Sequence, residues 1–301
     1  MFTYNKEQIT IESISAFDFA AKSLNDKNNK TRENIIGAII NDKVPAEYYE
    51  LSRWIQLKTS VLKYIIELDS KPFDRIECKH KGGRKFNFDF NIIFYYAGLE
   101  PRVYNIELKF NASAIDDAPQ FVSPMKPSQY LSSSYEEYYY TNYLGKLAEA
   151  TSGLLLPAKE IYMAQIHTNK PKCINIFQEI YYKGCAGSSK FTKNEEDIKF
   201  YELAKELSNE SISTFIEKNN LNIGLLSEYL QASQKGKIYM LYSEGQFTKQ
   251  NANLADYMIV SVIKNPQKFR YECLSANGKK INVLLRWKNG NGIAFPAFQI
   301  S

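Results

Sequence analysis

The segment from residue 85 to residue 110 constrains the fold more than any other stretch of the chain. It holds two runs rich in apolar residues, 85–96 and 102–110, which alternate with polar ones over 86–91 and 104–110 and are broken by Ala97-Gly98-Leu99-Glu100-Pro101. Two such runs across a Gly/Pro turn read as neighbouring β-strands. Alternate side chains of a strand share a face, so Phe86, Phe88 and Phe90 point one way and Asn87, Asp89 and Asn91 the other. On the second strand Tyr104, Ile106, Leu108 and Phe110 form the apolar face, with Glu107 and Lys109 opposite. Pairing of the two strands therefore predicts that Asp89, Glu107 and Lys109 converge on one polar rim of a buried sheet.

The rest of the chain supplies layers for that sheet. Pro45 opens a helical pattern from 46 to about 68, with Leu51, Trp54, Leu57, Val61, Leu62 and Ile65 on one stripe, and Lys71-Pro72 ends it. A further strand is expected over 75–79, before a turn at Gly82-Gly83. Helical patterns follow around 135–151, 195–207, 211–219 and 222–232. Strand patterns at 237–242, 257–263, 269–275, 280–288 and 293–300 are separated by Asn-Gly turns at Asn277-Gly278 and Asn289-Gly290. The expected fold is mixed α+β (α/β): a central mixed β-sheet flanked by helices, with a C-terminal antiparallel β meander. The expected division is a core over 1–235 and a meander over 236–301.

Composition removes several chemistries. The only histidines, His80 and His167, lie far apart, which weakens any mechanism built on paired imidazoles. Cys78, Cys173, Cys185 and Cys273 form no CxxC pair, so a zinc knuckle or disulfide framework is not expected. With no secretory leader pattern at the polar N-terminus and no long apolar run, a reduced, cytoplasmic location away from membranes is expected.

What remains is oxygen chemistry. Two carboxylates on facing strands suit Mg²⁺, which prefers oxygen ligands and retains several waters. Such an ion lowers the pKa of bound water and offsets charge on an attacked phosphate. A lysine beside it can orient that water or stabilise the phosphorane. Acid-x-Lys triplets occur four times, at Asp69-Ser70-Lys71, Glu77-Cys78-Lys79, Glu107-Leu108-Lys109 and Asp197-Ile198-Lys199. Only Glu107-Leu108-Lys109 combines a hydrophobic strand with an acid on an adjacent strand.

Asp89, followed by Glu107-x-Lys109 on consecutive strands after a long helix, resembles the PD-(D/E)xK nuclease superfamily, which includes most type II restriction endonucleases. The resemblance spans about residues 46–125 and departs from the family pattern at Phe88, where a proline is usual. It implies Mg²⁺ at Asp89 and Glu107, the Leu108 carbonyl as a further ligand, and Lys109 near the attacking water. It also implies a helical glutamate near the metal, for which Glu50 is favoured over Glu67, and a glutamine after the lysine, for which Gln120 stands.

Charge distribution points to the partner. Lys264, Lys268, Arg270, Lys279, Lys280, Arg286 and Lys288 face a single acid, Glu272, over 264–288, interleaved with Phe269, Tyr271 and Trp287. Such a stretch suits a phosphate backbone, with cations releasing counterions and rings packing on sugars or bases. Arg270, Lys280, Arg286, Trp287, Lys288 and Asn289 are the expected contacts to double-stranded DNA. The expected activity is Mg²⁺-dependent endonucleolytic cleavage of DNA, restriction-like, by a homodimer matched to a two-fold site. The alternatives are a structure-specific repair or recombination nuclease and a non-catalytic DNA-binding protein.

Overall fold

The computed structural model describes residues 1–19, 24–81, 86–117, 125–151, 153–168, 175–288 and 290–301. The chain divides into two compact units, and neither is continuous in sequence. The first comprises residues 1–118 and 232–254, the second 119–231 and 255–301. A division at residue 235 therefore does not describe the molecule.

The first unit opens with a hairpin absent from the sequence reading, β1 (Phe2–Tyr4) and β2 (Glu7–Ile9). Its turn places Asn5 and Lys6 at positive φ, 46° and 68°, as a tight two-residue connection requires. A 3-10 segment, Ile11–Phe17, follows, and then α1 (Asn25–Ile40). The helical pattern beginning at Ala46 breaks in two. Residues Ala46–Glu50 form a 3-10 helix, Leu51 is extended (φ −95°, ψ 127°), and α2 runs over Ser52–Leu68. Trp54, Leu57, Val61, Tyr64, Ile65 and Leu68 are its buried stripe, at the i, i+3, i+4 spacing of a helix lying on a sheet.

Strands β3 (Arg75–His80), β4 (Phe90–Tyr96) and β5 (Leu99–Phe110) form an antiparallel meander. Strand β6 (Lys237–Ser243) then lies parallel to β5, and β7 (Gln246–Asn251) closes the edge. The result is a five-stranded mixed sheet in the order β3-β4-β5-β6-β7. The sequence reading assigns 237–242 to the C-terminal meander. Its run Ile238-Tyr239-Met240-Leu241 instead has the continuous apolarity of a strand covered on both faces, and Tyr239, Met240 and Leu241 are all buried. Ile35, Ile36 and Ile39 of α1 and the α2 stripe pack on Phe90, Ile92, Phe94, Ile106 and Met240. Ala112, Ile115, Tyr239 and Leu241 form a smaller cluster.

The second unit begins with a helical stretch in three parts: α3 (Tyr135–Tyr139), a π turn over Tyr140–Leu144 and α4 (Gly145–Glu149). After α5 (Lys159–Gln165) and α6 (Asn175–Gly184) comes α7, one helix over Glu195–Lys218 where two are expected. The Asn194 side chain caps α7 by accepting from the amides of Glu196 and Asp197. Three acids occupy its first turn and Lys218 its last, in the sense the helix dipole favours. Helix α8 (Ile223–Gln234) leads back to the first unit. Strands β8 (Ile259–Asn265), β9 (Arg270–Ser275), β10 (Lys280–Trp287) and β11 (Pro296–Ile300) make the expected four-stranded antiparallel meander, in the order β11-β10-β9-β8. The tyrosines Tyr135, Tyr139 and Tyr143 are buried in this unit and serve its packing. Among the described residues no helix is long and apolar enough to cross a membrane.

Candidate functional site

Register brings the three sequence-selected side chains together. Phe90 of β4 pairs with Ile106 of β5, and both are fully buried on the helix-covered face. Asp89 stands one residue before β4 in a bend. Its amide donates to the Ile106 carbonyl at 2.9 Å, one place out of the Phe90–Ile106 register, so Asp89 leaves the regular ladder there. Asp89 and Glu107 lie within electrostatic reach of each other. The Asp89 Oδ2 accepts from the Leu108 amide at 2.8 Å, which fixes the carboxylate against β5. Lys109 Nζ lies 2.9 Å from Glu107 Oε1, with both side chains 15% exposed.

Two further charged groups complete the cluster. Lys237, the first residue of β6, pairs with Asn105, and its side chain is only 3% exposed. Its Nζ donates to the Asn87 carbonyl at 3.2 Å and lies 4.0 Å from Glu107 Oε2. From α1, Glu33 comes within 4.0 Å of His80 Nδ1 and within electrostatic reach of Asp89 and Glu107. Burial, with the charges of Asp89 and Glu107 adding to it, pushes the Glu33 carboxyl up to about 8. Burial and then Glu107 raise Asp89 to about 7, against the opposing hydrogen bond from Leu108 and the charges of Lys109 and Lys237. Burial alone lowers His80. Such perturbed carboxyls, gathered at one point by desolvation and like charge, are typical of functional sites.

The helical glutamate is therefore not the one expected. Glu50 lies in the 3-10 turn ahead of α2 and is exposed, because the extended Leu51 breaks its phase with the Trp54 stripe. Glu33, on α1, is a helical acid whose carboxyl feels the charges of Asp89 and Glu107. It carried little sequence signal, being one acid beside the Ile35-Ile36 face. Lys237 was more legible: it shares strand parity with Tyr239 and Leu241, so a lysine there points where apolar residues point. Gln120 and Asn289 lie outside the described residues.

The donor set is oxygen-rich and suits a hard cation. Two carboxylates with water completing the shell is a usual way of holding Mg²⁺. Among the described residues no three His, Cys, Asp or Glu side chains are grouped so as to hold a metal ion, so a protein-only cage is not what this site offers.

In the second unit the basic stretch separates by strand parity. On β10, Ile281, Val283, Leu285 and Trp287 are buried, while Lys280 is exposed and Arg286 half-buried. Trp287 is no surface ring: it is 5% exposed, and its Nε1 donates to the Tyr135 hydroxyl at 3.0 Å. Arg270 is held by Glu272 Oε1, at 2.6 Å from Nη2, and Arg286 Nη1 donates to Gln299 Oε1 at 2.7 Å. Lys280 and Lys288 are exposed. The outer face of the meander is thus cationic, while Tyr271 and Trp287 belong to its inner face and Phe269 stands half-buried at the turn before β9.

Compared with known proteins, the chain matches no family model and no curated sequence. Fold and site together define a mixed α+β protein with an acid–lysine cluster on a central mixed sheet.

Proposed function

We propose that the chain is a Mg²⁺-dependent endodeoxyribonuclease of the PD-(D/E)xK kind, cutting double-stranded DNA in the manner of a type II restriction enzyme. The observation that carries this reading is the Asp89 carboxylate fixed at 2.8 Å by the Leu108 amide, between Glu107 and Lys109, with Lys109 held 2.9 Å from Glu107 on the same strand. Glu33 supports it as a third acid presented from a helix.

A bound Mg²⁺ would supply an activated water and offset charge on the phosphate. Asp89 and Glu107 would hold the ion, with the Leu108 carbonyl as a backbone donor between Glu107 and Lys109. The Leu108 amide keeps Asp89 oriented for that task. Lys109 presents an ammonium for the attacking water or the developing charge on the phosphate. Exposed Lys280 and Lys288, with Arg286 beside them, would contact the DNA backbone. A homodimer would let two such sites act on the two strands.

A second reading, a non-catalytic DNA-binding protein, draws on the Lys109–Glu107 ion pair, since such a pair also serves as a structural element of a strand. Incubation of the full chain with plasmid DNA, in Mg²⁺ and in EDTA, separates the two. Cleavage that needs Mg²⁺ and is lost in Asp89→Ala and Glu107→Ala is expected. DNA binding without any cleavage favours the second reading.

A further inference from the structure

The buried lysine of β6 has a role that the acid-x-Lys motif does not explain. A lysine side chain left 3% exposed costs free energy unless its charge is matched, and a methionine would fill the same space without that cost. The groups around its ammonium are those that build the site. Nζ donates to the carbonyl of Asn87, two residues before Asp89. It also faces the Glu107 oxygen, Oε2, that Lys109 does not take. Asn87 is tied at its other end, Nδ2 donating to the Ser233 carbonyl at 2.6 Å, just before β6 begins. The segment carrying Asp89 is thus fastened to the α8–β6 junction by two bonds, one of them through this ammonium. The two oxygens of Glu107 each have a lysine beside them, 2.9 Å and 4.0 Å away.

We infer that Lys237 is a positioning residue and a built-in second cation of this site: it fixes Asn87 and Glu107 relative to each other and limits the site to one divalent ion. This rests on the metal-dependent reading proposed above. Two carboxylates, Asp89 and Glu107, are balanced by two ammoniums, Lys109 and Lys237. With one ammonium 2.9 Å from Oε1 and another 4.0 Å from Oε2, Glu107 can share one ion with Asp89, and the positive charge beside Oε2 opposes a second ion there. The ammonium of Lys237 does there what a second metal would otherwise do.

Binding of Mn²⁺ to the full-length protein, measured by calorimetry without DNA, tests this. The wild-type chain should bind one ion. Lys237→Gln keeps a donor for the Asn87 carbonyl and removes the charge. It should bind Mn²⁺ about tenfold tighter, the size expected when a unit charge several ångströms away leaves a partly buried site, and should take up a second ion. Lys237→Arg should keep the wild-type stoichiometry. DNA cleavage should fall in Lys237→Gln although its metal binding strengthens, an opposition that mere loss of packing does not produce. Two ions bound by the wild type overturns the inference whatever the variants do. Weaker or unchanged Mn²⁺ affinity in a folded Lys237→Gln overturns it while leaving the nuclease reading intact. No Mn²⁺ bound by the wild type overturns both.

Discussion

Asp69 shows how much one buried carboxylate can organise. It is 7% exposed and accepts from the Tyr96 hydroxyl at 2.6 Å, the Tyr104 hydroxyl at 2.8 Å, the Lys71 amide at 3.0 Å and Arg102 Nη1 at 3.1 Å. Burial by itself would raise its pKa, but these hydrogen bonds hold it well below the usual carboxylate range. A carboxylate depressed on folding adds stability that is fully present above its ordinary pKa and is lost as pH falls through that value toward the folded one. Asp69→Asn should therefore lower stability by about 1–3 kcal/mol at pH 7, and the gap from wild type should close below about pH 4, read from urea melts across pH. Glu33 carries the opposite sign. Its carboxyl is raised on folding, so its contribution is complete below the ordinary value of 4.5 and is lost as pH rises through about 8. In EDTA, Glu33→Gln should be more stable than wild type at pH 9, by about 1–3 kcal/mol once solvent screening is allowed for, and nearly equal to it at pH 5. A flat difference across that range would remove Glu33 from the charged cluster.

At the scale of elements, close approach and strand parity decide more than propensity. Helices α6 and α7 meet at Gly184, where a Cβ would stand 1.9 Å from the Asp197 carbonyl oxygen, a backbone atom that cannot swing aside. Gly184→Ala should cost about 2–3 kcal/mol, outweighing the ~1 kcal/mol that alanine gains in a helix, as a drop in melting temperature would register. Just past the end of β10, Lys288 is exposed. Lys288→Ala should weaken DNA binding and flatten its dependence on log salt by ~1 unit, whereas Trp287→Ala should act on stability. The sequence carried much of this. Alternation over 85–110 placed Asp89, Glu107 and Lys109 on one face because a strand's period leaves no other choice once Phe90 and Ile106 are buried. The same alternation, not applied to 280–288, made Trp287 look like a stacking ring. Glu50 misled because periodicity is blind to a single extended residue such as Leu51. Glu33 was out of reach for another reason: it joins the site through tertiary neighbours far away in sequence, and no local spacing records such contacts, whereas Lys237 shows its burial by strand parity but not its partners.

Over the whole molecule, the division of the chain matters more than the length of any piece. The five-stranded sheet takes three strands from residues 1–118 and two from residues 232–254. A cut after residue 235, where turn signals and charge suggest a boundary, removes β6, β7 and Lys237 together. That truncated chain should show no cooperative unfolding transition and no calorimetric response to Mg²⁺. A sharp thermal melt for it would mean that β3, β4 and β5 suffice with the two helices.

The parallel pairing of β5 with β6 also has a consequence for how the protein is made. Strand β5 ends at Phe110, and its partner begins only at Lys237, after residues 119–231 have been laid down as part of the other unit. During synthesis the chain emerges N-terminus first, so Asp89, Glu107 and Lys109 leave the ribosome long before the strand that completes their surroundings. Non-local pairing of this kind is slow. If the cluster cuts nucleic acid, its last brace arrives well after its acids and lysine, and a chain halted before β6 is disarmed by its own topology.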